Sequence, residues 1–250
     1  MDESNYFSPK SENSFMSYSQ FVDFKNCEAC ALAKIRGEWK EEETTAMLVG
    51  SYLDARFSGD KDFSSKHPEI FKKDGSLKAE FAQAETMIES VEKDSYFASY
   101  FKGEMQVIET GEIAGVPFKI KMDSVFEDKI VDIKTARSVD DQWSDKDGGR
   151  VPFWRLWRYD IQAAVYQEIH AQNTGKRLPF YLAVVTKEDY PNRVLVRFSD
   201  ATLKAALEEV RSLAPKYQAI KKGKIAPNRC GSCDYCKSTK ILSDSDIIIA

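Results

Sequence analysis

The chain has 250 residues, of which 42% are apolar and 30% charged, so it can bury a sizeable core and has the composition of an ordinary globular protein. Its net charge of −4 shows no basic excess, and any contact with nucleic acid must therefore depend on a local patch. The polar N-terminus and the lack of a long apolar run argue against a signal peptide and a membrane span, and predict a cytoplasmic location. Five cysteines in a reducing compartment predict metal or cluster binding rather than disulfides.

Serine and asparagine are frequent in residues 1–16, which predicts a loose N-terminal segment before a single domain over 17–250. From Ser17 onward, apolar residues recur at three- and four-residue steps, the pattern of a helix. This predicted helix would carry Cys27 and Cys30 on neighbouring faces.

Two further helices are predicted before the pattern changes. The first covers about 44–57; Gly50 within it indicates close approach by another element, and Asp54 follows one turn later. The second, 77–91, is regular and amphipathic. After residue 99 the apolar residues alternate with polar ones, which predicts strands.

Two short strands that fold back over a charged turn are predicted in the middle of the chain. With Glu127 and Asp128 at the turn centre, Asp123 lies opposite Asp132. The two-residue period of a strand puts Asp132 and Lys134 on one face. Facing carboxylates are unfavourable unless a positive charge lies between them, and a divalent cation would supply it. A surface hairpin with scattered charges is the alternative interpretation of these residues alone.

A helix predicted over about 153–173 carries Gln162 and Tyr166. Their four-residue spacing places an amide and a phenol side by side on one face, where they would suit a phosphate backbone near a metal. A polar helix flank with a tyrosine at the core edge is the alternative. Two more strands and a final helix follow, and this order of elements predicts one α/β domain.

Three cysteines lie close together near the C-terminus, where Cys230, Cys233 and Cys236 form a C-x2-C-x2-C motif. Thiols at this spacing can converge on one ion or cluster, and a fourth ligand is missing locally. Cys27 or Cys30 could supply it, which would tie the N-terminal helix to the C-terminus. Reduced structural cysteines are the alternative.

Two motifs together carry a family resemblance. The run GVPFKIKMDSVFEDKIVDIKT at 115–135, followed by RYDIQAAVYQ at 158–167, resembles the PD-(D/E)XK nuclease superfamily. It is most similar to the branch with a Gln-x-x-x-Tyr helix, shared by RecB-type nuclease domains, lambda exonuclease and Cas4. Across most of the chain it is similar to phage-encoded exonucleases related to exodeoxyribonuclease VIII (RecE). The resemblance implies an α/β fold with a restriction-endonuclease-like core, in which helices flank a central mixed β-sheet.

The resemblance also implies metal ligands. Asp123 and Asp132 would bind the metal, with the carbonyl of Ile133 as a further ligand. Members of this branch carry His or Glu four residues after a glycine in an upstream helix. The segment Gly50-Ser-Tyr-Leu-Asp54 has this spacing but supplies Asp, so Asp54 is a candidate metal ligand, either directly or through water.

Lys134 would be the catalytic lysine, with Gln162 and Tyr166 as an accessory motif. The implied activity is a Mg²⁺- or Mn²⁺-dependent DNA exonuclease that acts at duplex ends to make single strands for phage-type recombination. Besides DNA, a single-strand annealing protein and further copies of the chain in a ring would be its partners. The alternatives are a cluster- or zinc-stapled DNA-binding protein with a vestigial nuclease site, and a Cas4-like nuclease.

Iron–sulfur nucleases of this superfamily, the AddB type and Cas4, join one N-terminal cysteine with three C-terminal ones. The resemblance therefore implies a [4Fe–4S] cluster, held by a C-terminal staple of about 227–240 and bound by Cys27, Cys230, Cys233 and Cys236. Those relatives space the last three as C-x2-C-x5-C, and the shorter second gap here leaves zinc as the alternative. Cys27 is preferred to Cys30 because Cys30 lies in the more Ala/Leu-rich part of its helix.

Overall fold

The computed structural model describes residues 1–42, 44–242 and 247, so the rest of the C-terminal end of the predicted domain lies outside the described residues. The α-helices are Glu3–Tyr6 (α1), Pro9–Ser14 (α2), Tyr18–Asn26 (α3), Glu28–Arg36 (α4), Thr45–Ser58 (α5), Phe63–Lys66 (α6), Ala79–Lys93 (α7), Ser95–Ala98 (α8), Phe153–Leu156 (α9), Tyr159–Thr174 (α10), Asp200–Lys221 (α11) and Asp234–Ser238 (α12). Short 3₁₀ helices cover Pro68–Ile70 and Ser99–Phe101. None of the helices in the described residues is long and apolar enough to cross a membrane.

The strands form a mixed sheet and a separate small hairpin. They are Glu104–Ile113 (β1), Val116–Val125 (β2), Ile130–Ala136 (β3), Gln142–Ser144 (β4), Gly149–Val151 (β5), Phe180–Thr186 (β6) and Arg193–Arg197 (β7). The sheet has the order β1-β2-β3-β6-β7, and its β3–β6 pair is parallel while its other pairs are antiparallel. The parallel pair needs a long crossover connection, which contains α10. The mixed sheet with flanking helices confirms the predicted fold class.

Apolar side chains cover both faces of this sheet. Ile130 and Leu182 pack with α3, α10 and α11 on one face. Val131 and Ala183 pack with α5 and α7 on the other. Successive side chains of a strand point to opposite faces, and strands buried on both faces therefore read as continuous apolar runs. Because side chains alternate along β3, Asp132 and Lys134 share the face of Ile130, which is the face covered by α3, α10 and α11.

The hairpin between β2 and β3 has the predicted register. Val125 pairs with Ile130 and Ser124 with Val131, and the backbone N–H of Phe126 donates to the carbonyl of Lys129 at 2.9 Å. The next step along this register brings Asp123 opposite Asp132.

The first predicted helix differs from the structure because it is broken at Cys27. This residue is extended (φ −160°, ψ 110°), and it ends α3 and begins α4. Its N–H donates to the carbonyl of Asp23, and its own carbonyl accepts from the N–H of Ala31, so both helix ends remain hydrogen-bonded. The break directs the Cys27 thiol towards Cys236, whose sulfur lies 3.6 Å away.

The N-terminal segment also differs from the prediction, since residues 1–16 form α1 and α2 rather than a loose chain. Its attachment depends on Lys119 of β2, which is 1% exposed. The Lys119 ammonium donates to the carbonyl of Tyr6 at 2.5 Å and to Ser11 Oγ at 3.2 Å, and it pairs with Glu12. A buried ammonium must be paired or hydrogen-bonded, and this segment supplies the partners.

Replacing Lys119 by methionine should therefore release the N-terminal segment. We expect faster amide hydrogen exchange over residues 3–14 and a loss of about 2 kcal/mol in the free energy of unfolding, because Glu12 and Ser11 lose a buried partner. That loss corresponds to a decrease of about 4–8 °C in Tm. Lys121→Met is the matched control, since the ion pair of Lys121 with the exposed Glu3 contributes little. Equal exchange in Lys119→Met and the wild type would contradict this account.

Candidate active site and cysteine cluster

A cavity of about 1200 Å³ beside β2 and β3 brings together side chains that are far apart in the chain. Its other walls come from β1 and from helices α1, α2, α3, α5, α6 and α10. The predicted site residues that line it are Asp54, Asp123, Asp132, Lys134, Gln162 and Tyr166. The Ile133 side chain packs in the core on the opposite face of β3, so a role as ligand rests on its backbone carbonyl.

Asp132 is the buried centre of this group, with 1% of its surface exposed. Gln162 Nε2 donates to Asp132 Oδ1 at 2.6 Å, and Lys134 Nζ lies 2.5 Å from Asp132 Oδ2. In the described part of the chain, Asp132 Oδ2 takes part in this ion pair, and Gln162 Oε1 is buried without a hydrogen-bond partner. Oxygen atoms with free lone pairs fit a hard divalent cation.

Asp123 and Asp54 complete a set of three carboxylates. Asp123 Oδ2 accepts a hydrogen bond from the backbone N–H of Ile133 at 2.8 Å. Burial raises the pKa of the half-buried Asp54 to about 8, and the negative charge of Asp123 contributes to this rise. Burial likewise raises the pKa of Asp132 to about 7, although Lys134 opposes the rise. The three carboxylates are crowded together and lack positive charge, and an all-oxygen donor set of this kind suits Mg²⁺ or Mn²⁺.

Lys134 keeps its proton in this setting. Burial lowers its pKa, but the negative charges of Asp132 and Asp123 outweigh burial and hold the pKa well above its ordinary value. Its ammonium also lies 5.4 Å from the centre of the Tyr159 ring, within the range of a cation–π contact. Lys134 is therefore a positively charged hydrogen-bond donor at neutral pH.

Gln162 and Tyr166 lie one turn apart on α10, and both side chains reach the cavity, as their spacing predicts. The Tyr166 ring packs edge-on against Phe180, with 6.0 Å between ring centres. Burial raises the pKa of Tyr166 well above its ordinary value, so its phenol stays neutral.

Sequence reasoning missed other side chains that line the cavity, among them Lys121 and Tyr18. Lys121 could have been found, because the two-residue period that links Asp132 to Lys134 also puts Lys121 on the face of Asp123. Tyr18 could not, because its place depends on how α3 packs: its hydroxyl donates to the carbonyl of Trp157 at 2.6 Å.

Residues 17–239 match the family model described as a PDDEXK-like domain of unknown function (DUF3799). The chain belongs to this PDDEXK-like family. It is also similar to a crystal structure of a "putative exonuclease" from Eubacterium rectale, with a TM-score of 0.92 and 42% sequence identity over 97% of this chain and 94% of that chain. The structure of SSO0001 aligns with a TM-score of 0.29 and 18% identity over 87% of this chain and 92% of that chain, a similarity too low to support an argument. No curated protein matches the sequence.

These comparisons confirm the predicted resemblance to PD-(D/E)XK nucleases and support a nuclease. A PDDEXK-like nuclease fold implies a divalent metal and a DNA substrate. The acidic cavity fits the metal part of this expectation, because three carboxylates line it and carboxylate oxygens are the ligand type that such a cation needs.

Four cysteines converge at a second place in this PDDEXK-like chain. The sulfurs of Cys27, Cys230, Cys233 and Cys236 all lie within 4.8 Å of one another, while Cys30 is buried nearby without joining this set. Backbone N–H groups of the C-terminal loop point at the sulfurs: that of Cys233 donates to Cys230 Sγ, and that of Cys236 to Cys233 Sγ. The bond from Cys233 is the main reason why the pKa of Cys230 falls to about 5. The arrangement is compatible with a metal site.

The pKa values of the carboxylates predict how stability depends on pH when divalent ions are removed. Folded Asp54 holds its proton up to about pH 8, whereas unfolded aspartate ionises near pH 4. Between these limits the unfolded state binds fewer protons than the folded state, so the free energy of unfolding falls as the pH rises. In EDTA, we expect Tm to fall from pH 5 to pH 8 more steeply in the wild type than in Asp54→Asn.

Asp189→Asn, which changes an exposed aspartate, is the control and should keep the wild-type slope. Saturating Mn²⁺ should flatten the wild-type slope, because the cation offsets the charges that burial disfavours. Identical slopes for the wild type and Asp54→Asn in EDTA would show that Asp54 does not titrate as described.

Proposed function

We propose that this protein is a divalent-metal-dependent DNA exonuclease. The observation that carries the proposal is the convergence of Asp54, Asp123 and Asp132 with Lys134 in one cavity, on a fold that belongs to a PDDEXK-like family. The "putative exonuclease" from Eubacterium rectale supports the exonuclease assignment. Mg²⁺ or Mn²⁺ would be held by the three carboxylates and the Ile133 carbonyl.

The metal, when bound, neutralises the phosphodiester and lowers the pKa of the attacking water. Lys134 stays protonated, because Asp132 and Asp123 hold its pKa high. It therefore acts as a donor that orients the nucleophile and offsets charge on the phosphate.

Gln162 and Tyr166 support the same site from α10. Gln162 fixes the Asp132 carboxylate through the bond to Oδ1, so its amide orients a proposed ligand. The neutral phenol of Tyr166, at the cavity wall, is placed to donate a hydrogen bond to a phosphate of the bound strand.

Further parts of the proposal rest on the sequence resemblance. They are attack at duplex ends, supply of single strands for phage-type recombination, a single-strand annealing partner and a homo-oligomeric assembly. The proposed cytoplasmic location rests instead on the polar N-terminal sequence and the lack of a long apolar run. The alternative of a DNA-binding protein with a vestigial site drew on the aspartate at position 54. Asp54 lies with the other carboxylates in the cavity. The presence of aspartate at position 54, where the similar nucleases carry histidine or glutamate, therefore no longer favours a vestigial site over an active one.

Lys134→Ala tests the nuclease proposal. We expect the purified protein to release nucleotides from linear duplex DNA with Mg²⁺ or Mn²⁺, and the variant to lose at least about 100-fold in kcat, because a charge-stabilising donor is removed from the reacting phosphate. Lys204→Ala, an exposed lysine on α11, is the matched control and should keep full activity. Equal rates for Lys134→Ala and the wild type, or a wild type without metal-dependent cleavage, would refute the proposal.

We also propose that the four converging thiols hold a single zinc ion. Tetrahedral zinc with Zn–S bonds of about 2.3 Å places its sulfurs about 3.8 Å apart. The Cys27–Cys236 and Cys230–Cys236 sulfur separations are 3.6 and 3.9 Å. A [4Fe–4S] cluster, which the resemblance implies, places an iron atom under each thiolate and needs wider separations, so the geometry supports the zinc alternative.

Cys27→Ser and Cys30→Ser are a matched pair for this site, since both thiols are buried and only Cys27 belongs to the converging set. We expect a colourless wild-type protein with about one zinc ion per chain by elemental analysis. Cys27→Ser should lose that zinc and unfold at lower temperature, whereas Cys30→Ser should keep it. A brown protein with iron and sulfide after anaerobic purification would overturn the zinc assignment, and zinc loss in Cys30→Ser alone would overturn the ligand set.

A further inference from the structure

Gln106 has an unusual backbone conformation inside β1. Its φ is 56°, in the left-handed region that residues other than glycine, asparagine and aspartate rarely adopt. The pairs Met105–Ser124 and Val107–Met122 bracket it, while Gln106 itself is unpaired in the ladder with β2. Such a conformation persists only where the surroundings maintain it, and it occurs preferentially at functional sites.

The strained residue lies next to the acidic site. The bracketing pairs place Gln106 across from Asp123, and the hairpin register places Asp123 across from Asp132. Gln106, Asp123 and Asp132 therefore follow one another across β1, β2 and β3, with about 5 Å between neighbouring strands. Gln106 lines the same cavity as the two aspartates.

The side chain of Gln106 is available for a ligand. It is half-buried, and within the described part of the chain its amide forms no hydrogen bond with another residue. Glycine would adopt this backbone conformation without strain and asparagine with little. Glutamine occupies a position where its backbone conformation is unfavourable. This indicates that the role of the position depends on the amide side chain and not on the backbone conformation alone.

We propose that Gln106 binds the DNA substrate by donating a hydrogen bond from its amide to a phosphate oxygen of the cleaved strand. This inference rests on the proposed nuclease function. Asp123, its neighbour across the strands, repels a phosphate, and a donor on the β1 side offsets that repulsion. A neutral amide does this without competing with a cation for the carboxylates, as an ammonium would. Gln106 is thus a substrate-binding residue on β1, beside the aspartates of β2 and β3.

Gln106→Gly tests the proposal because it removes the amide and the backbone strain together. We expect an unchanged or higher Tm, unchanged Mn²⁺ binding by calorimetry, and a KM for linear duplex DNA that rises about tenfold with kcat within about twofold of the wild type. Ala114→Gly is the matched control. Ala114 also has a left-handed backbone (φ 51°) but lies in the exposed β1–β2 turn, so the change should relieve strain without altering KM.

A modified substrate identifies the contact. In a set of linear duplexes, one phosphate near the scissile bond is replaced by a neutral methylphosphonate, at a different position in each duplex. Each replacement removes one anionic phosphate oxygen. With the wild type, we expect one position to raise KM about tenfold. With Gln106→Gly, the same substitution should add no further rise, because the hydrogen bond is already absent.

Three outcomes would overturn the inference. The first is a KM for Gln106→Gly equal to that of the wild type. The second is an increase in KM that is the same at each methylphosphonate position in both proteins. The third is a lower Tm or weaker Mn²⁺ binding, which would show that the side chain supports the fold. A wild type that does not cleave DNA rejects the nuclease proposal itself, and this result is separate from the other three.

Discussion

The buried carboxylate of Asp132 is the constraint on which much of the structure depends. A carboxylate with 1% exposure is costly unless its oxygens are paired. Gln162 reaches one oxygen from α10, and Lys134 reaches the other from two positions along β3. Because α10 is the crossover between β3 and β6, the connection that the parallel pair requires also delivers the amide that Asp132 needs. The hydrogen bond between Gln162 and Asp132 therefore belongs both to the fold and to the site.

The same place in the protein carries a stability cost. Asp54 and Asp132 are held where burial and mutual repulsion raise their pKa values, and Gln106 is held in an unfavourable backbone conformation beside them. The apolar layers on both faces of the sheet supply the stability that allows it. Crowded charge and local strain of this kind are typical of sites that are organised to bind a ligand rather than to stabilise the fold.

Two long-range contacts close the chain around this sheet. The thiol of Cys27 meets the C-terminal cysteines, and Lys119 holds the N-terminal segment through Tyr6, Ser11 and Glu12. Both contacts join parts of the chain that are far apart in sequence, so each closes a long loop of the folded chain at an entropic cost that grows only slowly with loop length. The proposed zinc site would act structurally in this way, at a distance from the phosphodiester chemistry.

The sequence by itself determined the hairpin register, the shared face of Asp132 and Lys134, and the pairing of Gln162 with Tyr166. Strand and helix periods are local geometry, and a short turn leaves little freedom in register. It did not predict the break at Cys27, the order in residues 1–16 or the strain at Gln106. Each of these depends on a distant partner: the C-terminal thiols, the buried Lys119 and the neighbouring strand that carries Asp123. Only the tertiary structure decided them, because local periodicity contains no information about which remote group a residue must satisfy.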